Sequence, residues 1–120
     1  MWEYEVNTRT LRKDGAIVSS KGYAGAVGFK DSTGNECVKY KGPLPRGTYI
    51  IGSPSTNPKT GKYSLPLTPS LSNNMCGRHA FLIHGDSIKK PGTASEGCIV
   101  LPISIRMKIW ASRDRNLIVR

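Results

Sequence analysis

Glycine and proline interrupt this chain so often that few long helices or strands fit between them. The 120 residues include 13 glycines and 8 prolines. Glycine frees the backbone for tight turns, whereas proline fixes φ and removes an amide donor. Hydrophobic residues make up 38% of the chain, which is enough to form a core. We therefore expect a single domain over residues 1–120 that is mainly β, a sandwich or sheet with one or two short helices.

Short apolar runs between the turns indicate the individual strands. Lys13-Asp14-Gly15 is typical of a hairpin turn within residues 2–30. Further strands are predicted at 23–29, 37–40, 48–51, 63–67, 80–83, 99–101 and 116–119. Loops are predicted at 42–47, 53–62, 70–77 and 85–97. Pro102 is expected to begin a helix whose buried face carries Ile105, Ile109 and Trp110.

The charge of the chain bears on its partners. The formal net charge is +10 and the pI is about 9.9, so anionic polymers and acidic proteins are the favoured partners. The basic residues are dispersed and form no dense block, so charge alone does not choose among nucleic acid, anionic lipid, a cell-wall polymer and an acidic protein. Our expectation is that nucleic acid is not a partner. No apolar run approaches 18 residues, and no basic leader precedes an apolar stretch at the start. We therefore expect no membrane insertion, and we expect the protein to be made in the cytoplasm without a signal peptide. It would then stay there or leave by a route that needs no such signal, unless a signal has been removed.

Three cysteines leave at least one thiol free within a single chain. We expect the free thiol to be Cys98. Cys37 and Cys76 both lie beside turn-forming residues, so they fit either a disulfide in an oxidising compartment or two reduced thiols. The sequence alone leaves these two alternatives open, because a disulfide requires a specific geometry.

One pair of segments carries the residue types of nucleophilic catalysis. A buried strand, Phe81-Leu82-Ile83, ends in His84, and a glycine-containing loop then leads to Ser95-Glu96-Gly97-Cys98. An imidazole near a cysteine activates it as a nucleophile, and Gly97 permits a tight turn and a close approach of substrate. Amides around Cys98 would form an oxyanion hole. A turn histidine and an inert core thiol are the alternative interpretation.

These motifs resemble those of a known family. Ile83-His84-Gly85 followed by Ser95-x-Gly97-Cys98-Ile99 is similar to the signature of the YkuD-like L,D-transpeptidases. The similarity is greatest to a short branch that type VI secretion delivers as antibacterial effectors. Its other motifs resemble Tyr23-x-Gly25, residues 42–50 and residues 77–81, so the resemblance spans about residues 20–110. Glu96 and Val100 depart from the common pattern, which has histidine and arginine at these places.

The resemblance implies an L,D-transpeptidase-like β fold and a reaction on peptidoglycan tetrapeptide stems. Cys98 would attack the carbonyl of the diamino acid at the third position, and the terminal D-alanine would leave. His84 would act as base, oriented by the carbonyl of Gly85, while Ser95 and Gly97 support the cysteine loop. Weaker candidates for substrate binding are Arg78, Asp86, Glu96 and Arg106. No metal or organic cofactor is implied.

The resemblance also implies partners and a place of action. The protein would be secreted and would act in the periplasm of a target bacterium. An immunity protein and a component of the secretion apparatus would be its protein partners. Two other interpretations stay open. His79, His84, Asp86 and Cys98 have the side chains of a zinc peptidase, and the net charge also fits a non-catalytic basic module that binds an anionic polymer.

Overall fold

One mixed β-sheet contains nearly all the regular structure of residues 1–120, all of which the computed structural model describes. Its strands are β1 (Trp2–Glu5), β2 (Thr10–Lys13), β3 (Ala16–Ser19), β4 (Tyr23–Ala24), β5 (Gly47–Ile51), β6 (Ser55–Asn57), β7 (Gly61–Pro69), β8 (Leu82–His84), β9 (Ile99–Val100) and β10 (Asn116–Val119). Their order is β3-β2-β1-β10-β5-β7-β8-β9-β4, and β6 pairs with β7. The one α-helix is α1 (Ile103–Ala111). The predicted mainly β fold with one or two short helices is confirmed.

Alternating strand residues form a single core on one side of the sheet. Seventeen buried residues make up this cluster, among them Trp2, Tyr4, Leu65, Ile83 and Ile99. The nine-residue helix α1 packs against β7 and β8 and buries Ile109 completely. Burial of these side chains supplies most of the stabilisation of a domain of this size. No helix has the length and apolar character needed to span a membrane.

The first hairpin forms where its turn residues predict it. Lys13 pairs with Ala16, so Asp14 and Gly15 form a two-residue connection between β2 and β3. Both residues have positive φ, 49° at Asp14 and 88° at Gly15. This is the backbone of a type I′ turn, whose twist matches that of the flanking strands.

The strand predicted at 23–29 is much shorter in the structure. β4 ends at Ala24, because Gly25 has a φ of +106° and the chain turns there. A Cβ atom at Gly25 would lie 2.8 Å from the Cα of Lys30 and 2.9 Å from the carbonyl oxygen of Lys41. Another part of the backbone therefore lies close to Gly25, and the predicted length of the strand is wrong.

Two further predictions of secondary structure are wrong. Residues 37–40 form turns, since the amides of Val38 and Lys41 bond to carbonyls three residues back, and no strand is present. Residues 53–62 are not all loop, because β6 pairs with β7 as a hairpin. Pro66 does not interrupt β7, since its carbonyl accepts a hydrogen bond from the amide of Gly52. Proline lacks a backbone N–H group, so the only thing a strand loses at a proline is that one hydrogen-bond donor.

The predicted helix is present and begins one residue later than expected, at Ile103, with Pro102 immediately before it. Ile109 is buried, and Ile105 and Trp110 are partly buried as predicted. The helix also buries Arg106, a charged residue that is only 6% exposed. A buried guanidinium requires acceptors for its N–H groups, and these lie next to the candidate site.

Candidate active site

The pairing of β8 with β9 brings the predicted nucleophile and base to one face of the sheet. The two strands are parallel, and Ile83 pairs with Ile99 while His84 pairs with Val100. Side chains alternate between the faces of a strand, so the fully buried Ile83 and Ile99 point to one face. His84 and Cys98 both belong to the opposite face. They occupy diagonal positions on these adjacent strands, since the register that pairs His84 with Val100 places Cys98 two residues before that partner.

Both side chains line one cleft of about 740 Å³. Its wall mixes polar and apolar groups, and its charged lining residues are Lys39, Lys59, Arg78, Asp86 and Glu96. A cleft of this volume accommodates a ligand the size of a short peptide. The site is therefore open to a substrate at the position where the imidazole and the sulfur are found.

His84 is held in one tautomer by its neighbour. Its Nδ1 lies 2.7 Å from the carbonyl oxygen of Gly85, and because a carbonyl can only accept, Nδ1 carries the proton. Nε2 is then the unprotonated nitrogen. Burial lowers the pKa of His84, and the positive charge of Arg106 lowers it further, against the opposing effect of the Gly85 carbonyl. The imidazole is therefore a neutral base at pH 7.

Cys98 has a different hydrogen-bond partner from the one that catalysis would need. Its Sγ accepts a bond from the amide of Leu82 at 3.3 Å, and it makes none to the imidazole of His84. Burial raises the pKa of the thiol, although the Leu82 amide and the positive charge of Lys59 oppose this effect. The site therefore holds a neutral thiol and a neutral imidazole, and not an ion pair.

Ser95 and Gly97 fix the loop that presents Cys98. The Oγ of Ser95 accepts bonds from the amides of Gly25 and Gly97, each at 2.9 Å, and donates to the carbonyl of Cys98 at 2.7 Å. Gly97 has a φ of +145°, and a Cβ there would lie 2.6 Å from an Arg78 nitrogen. A side chain at position 97 would therefore displace the loop. The loop-supporting geometry expected of these two residues is present.

The two arginines predicted to bind substrate bind the main chain instead. Arg78 is 6% exposed, and its four terminal N–H groups donate to carbonyls. These carbonyls belong to Glu36, Gly42, Pro43 and Glu96, at 2.6 to 3.1 Å. Arg106 does not line the cleft and donates to the carbonyls of Leu101, Lys62 and Tyr63. Both guanidiniums are part of the framework, and this corrects the prediction.

The carboxylates of Asp86 and Glu96 differ in how many hydrogen bonds they accept from the protein. Asp86 accepts bonds from the Tyr23 hydroxyl at 2.6 Å and from the amides of Ser87 and Gly92, so it organises the loop after β8 and does not contact His84. Glu96 is exposed, and its Oε2 lies 3.4 Å from the Nζ of Lys59. That contact is long for a salt bridge, so the substrate-binding role of Glu96 stays a prediction.

Comparison with known families identifies the chain. The family model described as the Tlde1 domain matches residues 19–118, which include every residue of the cleft. The chain belongs to the Tlde1 domain family. This is a family of type VI secretion effectors of the L,D-transpeptidase type, and membership suggests an effector that targets peptidoglycan. No curated protein and no solved structure gives a significant match. The closer relation to YkuD-like enzymes stays a prediction.

A disulfide connects two walls of the cleft in this Tlde1 domain. Of the two alternatives that the sequence leaves open, the structure contains the bridge between Cys37 and Cys76, with 5.3 Å between their Cα atoms. Cys98 is the free cysteine, as predicted. The bridge joins the segment that carries Lys39 to the segment that carries Arg78, and both line the cleft.

The zinc-peptidase interpretation finds no support in the arrangement of side chains. No three residues among the histidines, cysteines and carboxylates lie close enough together to hold a metal ion. His79 is exposed at the cleft wall, whereas the carboxylate of Asp86 is occupied by amides and a hydroxyl. The four residues proposed as ligands therefore do not form one coordination site.

Sequence reasoning missed three features of the Tlde1 site. The amide of Leu82 bonds to the sulfur, but nothing in a sequence reports a backbone donor. The Tyr23 hydroxyl bonds to both Asp86 and the amide of Ala94. Lys59 reaches the cleft because residues 55–64 form a hairpin and not the predicted loop. The turn residues Asn57-Pro58-Lys59-Thr60-Gly61 were the available signal for that hairpin.

Proposed function

We propose that this protein is a cysteine acyltransferase that acts on peptidoglycan tetrapeptide stems. It would work as an L,D-carboxypeptidase, as an L,D-transpeptidase that exchanges the terminal D-amino acid, or as both. The observation that carries the proposal is the common cleft of Cys98 and His84, in which the imidazole has its Nε2 unprotonated. Membership of the Tlde1 family supports peptidoglycan as the target.

The first half of the reaction would form a thioester. The Sγ of Cys98 attacks the carbonyl carbon of the diamino acid while its proton passes to the Nε2 of His84. The resulting tetrahedral oxyanion is stabilised by backbone amides near Cys98. His84 then gives the proton to the amide nitrogen, the C–N bond breaks, and D-alanine leaves. Sγ remains bonded to the carbonyl carbon of the shortened stem.

The second half would regenerate the cysteine. The attacking group is water, a free D-amino acid or the amine of a neighbouring stem, and it loses a proton to His84 as it adds to the thioester. The C–S bond breaks, and the proton returns to the sulfur. Water gives trimming, a D-amino acid gives exchange, and an amine gives a crosslink. Trimming and exchange would both consume donor stems and weaken the wall of a target cell.

The neutral charge state of the pair supports general-base catalysis. Burial lowers the pKa of His84 and raises that of Cys98, so proton transfer from sulfur to nitrogen is unfavourable before substrate arrives. Transfer that accompanies the attack avoids a stable thiolate in a partly apolar site. A resting thiol also reacts slowly with oxidants and other electrophiles.

The proposed place of action is the periplasm of a target bacterium, after synthesis in the cytoplasm and secretion by a type VI apparatus. Disulfides form and persist in the periplasm, and the Cys37–Cys76 bridge suits such a compartment. The net charge of +10 suits an anionic cell wall. It equally suits an acidic immunity protein in cells that make the effector.

The decisive experiment incubates the protein with purified tetrapeptide muropeptides and resolves the products by mass. We expect loss of one D-alanine, or a mass change when another D-amino acid is added. Cys98→Ala and His84→Ala should each abolish the product, whereas His79→Ala, a matched change at the cleft wall, should retain it. Folded protein that leaves the muropeptides unchanged would contradict the proposal.

Inhibitors in this assay, together with an antibacterial test of the Cys98→Ala variant, separate the other two interpretations. Inactivation by a chelator, together with loss of activity in His79→Ala, would favour a zinc peptidase. Full antibacterial effect of Cys98→Ala would favour a basic module that binds a polymer without catalysis. Inactivation by a thiol-alkylating reagent, with no effect of the chelator, is the outcome expected for a cysteine enzyme.

A further inference from the structure

We propose that Lys59 recognises the free carboxylate of the substrate's terminal D-amino acid and so restricts the enzyme to the ends of stem peptides. The inference rests on the proposed function, because it names a contact for the leaving group of that reaction. It assigns a role to the β6–β7 hairpin, which otherwise has no part in the chemistry. Three observations carry it.

The first observation is that the main chain of Lys59 is fixed while its side chain is free to bind. The Oδ1 of Asn57 accepts bonds from the amides of Lys59 and Thr60, at 2.8 and 3.1 Å. The hydroxyl of Thr60 bonds to that of Ser64, which connects the turn to β7. The side chain of Lys59 is 78% exposed and lines the cleft. A fixed turn therefore presents a flexible ammonium group over the site.

The second observation concerns the other basic side chains of the cleft, of which Arg78 is hydrogen-bonded to the main chain and Lys39 is turned toward a neighbouring ring. Arg78 donates its four terminal N–H groups to backbone carbonyls. The Nζ of Lys39 lies over the ring of Tyr40, 5.3 Å from its centroid. Lys59 contacts only Glu96, at 3.4 Å, in a pair whose members are both exposed. Exposed pairs of this kind contribute little, so a substrate carboxylate can displace Glu96 at small cost.

The third observation places Lys59 within electrostatic range of the reacting groups. The positive charge of Lys59 lowers the pKa of the Cys98 thiol, against the larger effect of burial. It also adds to the effect of burial in lowering the pKa of His84. Lys59 also lines the same cleft as Cys98 and His84, so its charge faces the space in which a substrate would bind.

The chemistry of the leaving group supplies the matching charge. In a tetrapeptide stem, the carboxylate of the terminal residue and the scissile nitrogen are bonded to the same α-carbon. A carbonyl placed for attack by Cys98 therefore brings this carboxylate within a few bond lengths of the reacting centre. An ammonium group binds a carboxylate through a charge-assisted hydrogen bond. An internal peptide bond has no carboxylate at that position and would lose this contact.

The test compares two substrates in one assay. One is the tetrapeptide with a free terminal carboxylate, and the other is the same tetrapeptide with that carboxyl amidated. Each kcat/KM contains the same nucleophile and base, so their ratio isolates recognition of the carboxylate from any change in the chemistry. The variants are Lys59→Ala, Lys59→Arg and Glu96→Gln. Lys62→Ala, an exposed lysine of the same hairpin that does not line the cleft, is the matched control.

The wild-type enzyme should prefer the free acid, and Lys59→Ala should reduce that preference about tenfold, as expected for the loss of one charge-assisted hydrogen bond. Lys59→Arg should keep most of the preference, Glu96→Gln should increase it, and Lys62→Ala should leave it unchanged. An unchanged acid-to-amide ratio in folded Lys59→Ala, with activity retained, would overturn the inference and leave the proposed function standing. Wild-type protein that is inactive on both substrates would instead overturn the proposed function.

Discussion

The two ends of the β-sheet are held together in different ways. At one end, β1 pairs with β2 over four residue pairs and with β10 over three. Exposed ion pairs among Met1, Lys13, Asp14 and Asp114 lie at its rim. At the other end, β8 pairs with β9, and β9 pairs with β4, over two residue pairs each. Side chains that bond to backbone groups hold that end together.

This difference between the two ends shows that a cleft formed by short strands requires side chains to bond to the backbone. Short strands leave room for a substrate, but they also leave backbone amides and carbonyls without partners in the sheet. Arg78, Arg106, Ser95 and Asp86 supply those partners. The end that contains the cleft should therefore be sensitive to single substitutions, whereas the end formed by β1, β2 and β10 should tolerate the loss of any one charged side chain.

The largest effect is expected for Arg78→Ala. Removal of the guanidinium leaves four carbonyls without their donors and opens a gap against Gly97 and the ring of Phe81. We expect a loss of about 3 to 5 kcal/mol in the free energy of unfolding, measured by urea titration, together with loss of activity. The exposed Arg46, which pairs with Glu36, provides the matched control. Equal stability of Arg78→Ala and Arg46→Ala would contradict the framework role of Arg78.

Loss of the disulfide should have the next largest effect. The bridge connects residues 39 positions apart, and closing a loop of that length stabilises a fold by about 4 kcal/mol in the chain-entropy model. The double variant Cys37→Ser with Cys76→Ser should unfold at a lower urea concentration than oxidised wild type. Reduced wild type should behave like the variant, and a reductant should not affect the variant. Identical midpoints for all forms would show that the cleft walls are stable without the bridge.

A smaller effect is expected on the pH dependence of thiol reactivity. Burial raises the pKa of Cys98 above its ordinary value of 9.0, so the thiol form prevails at pH 7. The rate of alkylation of Cys98 by iodoacetamide should therefore be low at pH 7, should increase steadily with pH, and should still be increasing at pH 9. The other two cysteines are bonded to each other, so the reaction reports on Cys98 alone. Rapid alkylation at pH 6 would indicate a thiolate–imidazolium pair and would contradict the neutral resting state.

The smallest effect is expected for Asp14→Asn, at the opposite end of the sheet. Its carboxylate bonds to the terminal amine and to Lys13, but it is exposed, and solvent and salt screen such pairs. Asp114 contacts the same two cations and remains in the variant. The urea midpoint and the activity should both stay within error of wild type. A marked loss of stability would show that the two ends do not differ as described.

The sequence predicts strands and turns well where the residue types of a short segment determine its backbone conformation. The hairpin at Asp14-Gly15, the buried strand that ends in His84 and the last strand all follow from patterns of a few residues. The predicted approach of His84 and Cys98 to one cleft also agrees with the structure. It depended on β8 and β9 being neighbours, a condition that the sequence left open and the structure meets.

The wrong predictions concern residues whose conformation or role depends on tertiary contacts. Gly25 ends β4 because the backbone of Lys41 packs against it, and no local pattern reports that contact. Arg78 and Arg106 were predicted as weak candidates for substrate binding because Glu96 and Val100 replace the histidine and arginine of the common family pattern. Unpaired backbone carbonyls around each guanidinium are visible only once the chain is folded. Lys59 was missed because β6 forms through its pairing with β7.

The central claim is that the sulfur of Cys98 becomes acylated by the stem peptide, and intact-mass spectrometry of the quenched reaction tests it most directly. The account predicts that wild-type protein gains the mass of the tetrapeptide muropeptide less one D-alanine, and that proteolysis places the adduct on Cys98. His84→Ala should show little or no adduct, because the thiol then has no base. Release of D-alanine by folded Cys98→Ala protein would contradict the account.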